Sequence, residues 1–251
     1  MKELLDCAMD IGEEMLIAGA EVHRAEDSIR RMCTAMGAAR TDVFIITSSM
    51  VASVHTDAGE SFTQTRRITV TGTDIEKLHR LNDLSRRICE NKLSTEEIRR
   101  EINEIKQCKS YPLWLEYLAY AVIAWAFTLF FGGNFIEAFV SFFVGLLLKL
   151  VVVLTDRTMP NKFFAKFICT FLATASAFLA VKLGIIEGVD KVIIGNIMTL
   201  IPGIGLTTAL RDLFTGDSIA GLLRVIEVTL IALAIAGGYF LCVLTIGGAL
   251  S

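Results

Sequence analysis

Several chemical signatures are missing from this sequence, and each absence excludes a class of function. Its three histidines, His23, His55 and His79, form no HExxH and no HxxEH, so the zinc-hydrolase spacing is absent and no metal site is expected. There is no GxSxG elbow and no P-loop, which leaves esterase-like and ATP-driven chemistry without a motif; no cofactor is implied. The six cysteines are scattered at Cys7, Cys33, Cys89, Cys108, Cys169 and Cys242, with no CxxC pair. They read as reduced, small apolar fillers, not a disulfide framework. The opening MKELLDCAMDIGEEML is acidic and amphipathic and lacks a basic n-region ahead of an apolar core, so it is not read as a secretory signal. The pairs Arg30-Arg31, Arg66-Arg67, Arg86-Arg87 and Arg99-Arg100 are interleaved with acids and form no basic stripe, which argues against a nucleic-acid partner.

Charge itself becomes scarce halfway along the 251 residues. Residues 1–112 hold 16 Lys/Arg and 19 Asp/Glu; residues 113–251 hold 8 of each. The first stretch reads as an N-terminal soluble α+β domain, 1–110, staying in the cytosol. The second, 111–251, reads as an α-helical integral membrane domain, because its apolar runs are too long and too close together for one soluble core.

In the first domain, Leu4, Leu5, Ala8, Ile11, Met15 and Leu16 recur at helical spacing over 2–18, with Gly19 as the stop. A second helix is expected over 21–36, ending at Gly37. The period then changes: 42–48, 50–56 and 62–70 are rich in Val, Ile, Phe and Thr and read as strands of one sheet, the last two a hairpin around Asp57-Ala58-Gly59-Glu60. Thr73-x-x-Glu76 and Ser94-x-x-Glu97 resemble capping boxes that open helices over 74–91 and 95–107. Glu21, Arg24 and Asp27 fall on one face of the second helix, a possible ligand-sensing site in the soluble domain. The competing account is dipole compensation and local ion pairing.

A membrane-spanning helix needs about 20 residues. Five segments qualify: 114–131, 135–154, 163–183, 191–210 and 225–247. With the N-terminal domain inside, the inner loops and span ends carry Arg157, Lys162, Lys166, Arg211 and Arg224, against Lys182 and Lys191 outside. That bias fits the positive-inside rule. Glu116, Glu137 and Lys149 lie toward span ends, where Lys149 can snorkel.

The fourth segment is interrupted. Pro202, Gly203 and Gly205 fall together near its middle, flanked by Asn196, Thr199, Thr207 and Thr208. Unwound backbone at such depth must face protein or water, and broken helices at the midplane are where secondary transporters bind small polar substrates. These residues are the expected substrate pathway; a packing kink is the alternative. Past the break, Arg211, Asp212, Asp217, Arg224 and Glu227 gather at the inner mouth as a gate or coupling group, with Arg224 and Glu227 at pairing distance along the helix. A tight loop holding lipid headgroups would use the same charges. Ala232, Ala236, Gly237 and Gly238 allow the fifth helix to pack closely on a neighbour.

The stretches GAEVHRAEDSIRR and GNIMTLIPGIGLTTALRDLFTGDSIAGLLRVIE together resemble the bacterial threonine/serine exporter family, ThrE or YjjP-like. The pattern stands here as Pro202, Gly203, Gly205, Arg211-Asp212, Gly216-Asp217 and Gly221. The resemblance covers nearly the whole chain. It implies threonine and serine efflux across the bacterial plasma membrane, driven by the proton motive force. It also implies a split form in which a smaller membrane protein supplies a second membrane domain. Split members are also linked to export of C4-dicarboxylates such as succinate. The expected partners are therefore membrane lipids, that smaller protein, an amino acid or dicarboxylate substrate, and further copies of the chain in an oligomer. A membrane-anchored enzyme or sensor, with the soluble domain as its active part, is the alternative class.

Overall fold

The computed structural model describes residues 1–91, 93–108, 111–159 and 161–247. The chain divides into two compact units. One comprises Met1–Lys109 with Gly203–Ile226, the other Ser110–Pro202 with Glu227–Ser251. The expected boundary at residue 110 lies outside the described residues.

The first unit begins with α1 (Lys2–Ile17) and α2 (Val22–Ala35). Both helices stop where the sequence puts glycine: Gly19 and Gly37 take φ of +95° and +96°, a conformation that a side chain resists. Three antiparallel strands follow in the order β1 (Arg40–Ile46), β2 (Ser49–His55), β3 (Ser61–Arg67). Alternation sets the sheet's faces. Met50, Ala52 and Val54 of β2 are fully buried and pair across the sheet with Ile45, Val43 and Thr41 on one side. On the other side they pair with Arg66, Gln64 and Phe62. The opposite face carries a polar ladder: Arg40 to Asp42 at 3.1 Å, and His55 Nδ1 with Ser61 Oγ at 2.7 Å. Then come α3 (Ile75–Asn91) and α4 (Thr95–Lys106). Leu5, Met9, Met15, Ile29, Leu84 and Ile98 form a core with no exposed surface. Gly12 lets α1 and α2 touch, since a Cβ there would lie 2.5 Å from Ile29 Cδ1.

Ser94 and Glu97 form the expected capping box. The other cap shifts by one residue: Asp74, not Thr73, accepts from the Lys77 N–H at 2.9 Å, because the helix starts at Ile75 and Asp74 is the residue that immediately precedes it.

The second unit contains α5 (Leu113–Phe130), α6 (Phe135–Thr158), α7 (Lys162–Lys182) and α8 (Asp190–Ile197). A ninth helix, α9 (Gly203–Thr215), belongs to the first unit, as do the first turns of α10 (Ser218–Thr245), whose remainder belongs to the second. Among the described residues, four helices are long and apolar enough to cross a membrane: α5, α6, α7 and α10. The expected fourth of five spans, 191–210, is instead two shorter helices. α8 tightens at its end, with Leu200 N–H bonding Ile197 O at 2.8 Å, and stops before Pro202, which has no amide to donate. The connection between the expected spans 191–210 and 225–247 is also mostly helix, since α9 runs to Thr215 and α10 starts at Ser218.

Close backbone packing holds α5, α6 and α8 together. A Cβ on Gly145 would sit 2.9 Å from Tyr120 O, and one on Gly195 would sit 2.8 Å from Ala124 O. Gly238 of α10 approaches Phe167 O of α7 in the same way, as the lack of a side chain allows. Lys149 is buried, pairs with Glu116 at 2.5 Å and lies 5.0 Å above the Tyr120 ring. Glu137 closes a capping box with Asn134 at the start of α6.

Candidate functional site

Two groups of polar residues stand out, one in each unit. In the second unit, Asn196 of α8 is completely buried. Its amide nitrogen donates to Ser141 Oγ at 2.8 Å and to Val192 O at 2.9 Å. Ser141 in turn touches Thr128 Oγ1 at 2.7 Å and Ala124 O at 3.1 Å. Three side chains from α5, α6 and α8 thus make one polar knot amid apolar neighbours. The knot is incomplete: Asn196 Oδ1 is buried and has no partner. A buried acceptor left open costs about 1–3 kcal/mol, so it is either a structural flaw or a contact kept for something that donates a hydrogen bond. Ser141 and Thr128 escape a sequence reading focused on the break; their small hydroxyls look like packing residues until α8 is laid against them.

The pathway residues have different environments. Thr199 is half-buried and donates to Asn196 O at 2.8 Å, so it braces the end of α8. Thr207 and Thr208 are occupied within α9, donating back to Ile204 O at 2.9 and 2.8 Å. Gly203 and Gly205 form the first turn of α9, after Pro202. Asn196, Thr199 and Pro202 belong to the second unit; Gly203, Gly205, Thr207 and Thr208 belong to the first.

In the first unit, α9 and the start of α10 are fastened to the loop between α1 and α2. Asp212 is fully buried. One of its oxygens accepts from the Val22 N–H, the first amide of α2, at 3.1 Å. The other takes Arg224 Nη1 at 3.0 Å. Arg224 also donates to Ala20 O at 3.2 Å, and Arg211 pairs with Glu21 at 2.5 Å. Two stretches about 190 residues apart, AEV and RD with Arg224, therefore form one latch. Burial pushes the Asp212 carboxyl above its ordinary 3.8, against the pull of Arg224 and the Val22 N–H. Asp217 lies at the turn into α10, its Oδ2 buried and without a partner.

The structure therefore regroups the candidate residues. Glu21 joins Arg211, while Arg24 bonds Asn82 at 3.2 Å and Asp27 pairs with Arg31 at 2.8 Å, so the three do not converge on one point. Arg224 pairs with Asp212 rather than with Glu227, because Asp212 is buried against it while Glu227 is exposed. Among the described residues no group of three His, Cys, Asp or Glu is placed to hold a metal ion.

Four long apolar helices, with a buried polar knot among the helices of the second unit, define a helical membrane protein. Comparison with known proteins is more specific. Residues 6–247 match the family model ThrE, described as "Putative threonine/serine exporter", and the chain belongs to that family. It is 26% identical over 223 residues to the "Probable succinate transporter subunit YjjP" of Klebsiella aerogenes, covering 88% of this chain and 85% of that protein. It is also 26% identical over 251 residues to "Pheromone-regulated membrane protein 10" of Eremothecium gossypii, covering 94% of this chain but 32% of that protein. No solved structure matches.

Proposed function

We propose that this chain is a subunit of a proton-driven exporter of threonine and serine, not an enzyme. It sits in the bacterial plasma membrane with residues 1–110 on the cytosolic side. It acts with a smaller membrane protein that supplies a second membrane domain, in an oligomer. The observation that carries the reading is the unpaired, fully buried Asn196 Oδ1, six residues before Pro202 ends the helix. An ammonium or hydroxyl group of a small amino acid completes that acceptor's hydrogen bonding. Helix breaks of this kind are where secondary transporters bind small polar substrates, and Pro202 supplies one here. In this reading Arg211, Asp212, Asp217, Arg224 and Glu227 act at the gate.

Succinate is the second reading, favoured by the printed name of the Klebsiella relative. A dicarboxylate brings only acceptors when ionised, so it does not complete Asn196 Oδ1. The test uses cells lacking their own exporters, loaded with a threonine-containing peptide or with dicarboxylate. The chain is expressed alone and with a candidate small membrane partner. Intracellular threonine falls when the pair is present, and Asn196→Ala or Pro202→Ala abolishes the fall at unchanged membrane levels. A fall in succinate alone replaces the substrate; no fall in any combination rejects the transport reading for these solutes.

A further inference from the structure

The first unit holds a cleft that the transport reading leaves unused. It measures about 300 Å³ and is lined from α2 by Arg24, Asp27, Ser28 and Arg31, and from α3 by Asn82 and Arg86. A second hollow, of about 250 Å³, shares Arg24, Asn82 and Arg86, so these three side chains stand where the two meet. The first hollow has no large apolar side chain in its lining, which excludes a greasy ligand. Its charges are three guanidiniums against Asp27 and Glu90, an excess of one positive charge.

The guanidiniums differ in availability. Arg31 is committed to Asp27 at 2.8 Å. Arg24 spends one nitrogen on Asn82 Oδ1, at 3.2 Å, which fixes its plane and leaves its other donors open. Arg86 is exposed and, among the described residues, has neither a hydrogen bond nor an ion pair. A fixed fork beside a free one is an arrangement suited to a carboxylate, which guanidinium binds with two parallel hydrogen bonds.

We propose that the α2–α3 cleft is a regulatory site for a small carboxylate-bearing metabolite, clamped by Arg24 and Arg86. α2 carries both Arg24 and, at its first residue, the Val22 amide that Asp212 holds. A ligand that pulls on Arg24 therefore pulls on the helix whose start anchors α9 and α10. That the pull adjusts export rests on the proposed function; that the cleft binds a carboxylate does not.

The experiment titrates the purified full chain in detergent with threonine, succinate and inorganic phosphate, read by calorimetry and by thermal shift. One carboxylate binds saturably, and Arg86→Gln and Arg24→Gln each weaken it roughly tenfold or more. Arg86 makes no bond that folding needs, so the unliganded melting temperature of Arg86→Gln stays at the wild-type value. Asp27→Asn separates the two sources. It weakens an amino acid, whose ammonium loses its acceptor, but it leaves or tightens succinate, because Arg31 is released. The proposal is overturned if no carboxylate binds saturably, if the Arg24→Gln/Arg86→Gln double variant binds as wild type does, or if phosphate binds as well as either carboxylate. Binding is read without flux, so a failure here leaves the export reading standing, and a failure of export leaves the cleft standing.

Discussion

Replacing Asp212 with alanine removes two acceptors in one step. Arg224, with only 13% of its side chain exposed, loses its counter-charge and keeps only the Ala20 carbonyl at 3.2 Å. The Val22 amide loses the partner that it had at 3.1 Å. Stripping one member from a buried ion pair costs about 3–5 kcal/mol, because a charge is left without compensation. The retained bond to Ala20 and the small opening to solvent place this site at the low end, about 3 kcal/mol. Asp212→Asn costs less, since an amide oxygen still accepts from Val22. In a unit of this size the alanine variant lowers the apparent melting temperature by about 10 °C, measured on purified protein in detergent. A double-mutant cycle isolates the pair: Asp212→Ala with Arg224→Ala is less damaging than the two losses summed, by about 2 kcal/mol. If Asp212→Ala lies within about 0.5 kcal/mol of wild type, or the two changes simply add, the latch does not hold the unit together and the argument fails.

The remaining predictions concern pH and packing. Asp212 and Asp6 respond to pH with opposite signs. Burial raises the Asp212 carboxyl above 3.8, so the folded form binds more protons there; its contribution is complete below 3.8 and lost as the pH climbs through the raised value. Asp212→Asn removes that slope from a melting-temperature series. Burial also works on Asp6, but the hydrogen bonds from Arg66 and Gln64 together with the charges of Arg66 and Arg99 outweigh it and hold Asp6 below 3.8. Its contribution is present above 3.8 and lost as the pH falls through the lowered value, and Arg66→Gln flattens that acid limb. Gly195→Ala puts a methyl 2.2 Å from Thr128 Oγ1 and 2.8 Å from Ala124 O, which forces α8 off α5 at a cost of about 1–3 kcal/mol. Thr128→Ala removes the first clash but not the second, so rescue of the melting temperature is partial; full rescue or no loss at all contradicts the packing.

What the sequence reveals here is what neighbours in the chain decide. Gly19 and Gly37 stop their helices, Asp57 to Glu60 turns the hairpin, and the apolar runs of α5 and α7 start and end within a residue of expectation. Distant partners defeat the same reasoning. The last span is expected from 225, with Arg224 left at its end; α10 begins instead at Ser218 and takes in Arg224, which Asp212 neutralises from another helix. Nothing local couples Glu21 to Arg211, or Asn196 to Ser141 and Thr128. The Asn134–Glu137 capping box also escapes the sequence analysis, which places Glu137 only toward a span end, although it has the same spacing as Ser94–Glu97 and differs only in its first residue.

The family signature divides at Pro202 into two kinds of work. Before it, Asn196 completes a polar knot with an open acceptor. After it, Asp212, Arg211 and Arg224 fasten loop 19–22, and Gly221 lets α10 meet α9, since a Cβ there would lie 2.8 Å from Leu213 N. A motif that predicts family membership is thus, in its second half, a fastening as well as a candidate gate. Loss of export in an Asp212 variant therefore has two explanations. The charge-reversed pair Asp212→Arg/Arg224→Asp separates them. It restores the Coulomb attraction but gives Val22 no acceptor, so a latch acting through charge recovers most of its stability while a gate that needs an acidic group at 212 stays inactive. Recovery of stability and export together would place the function in the fastening alone; recovery of stability without export would assign Asp212 a part in transport.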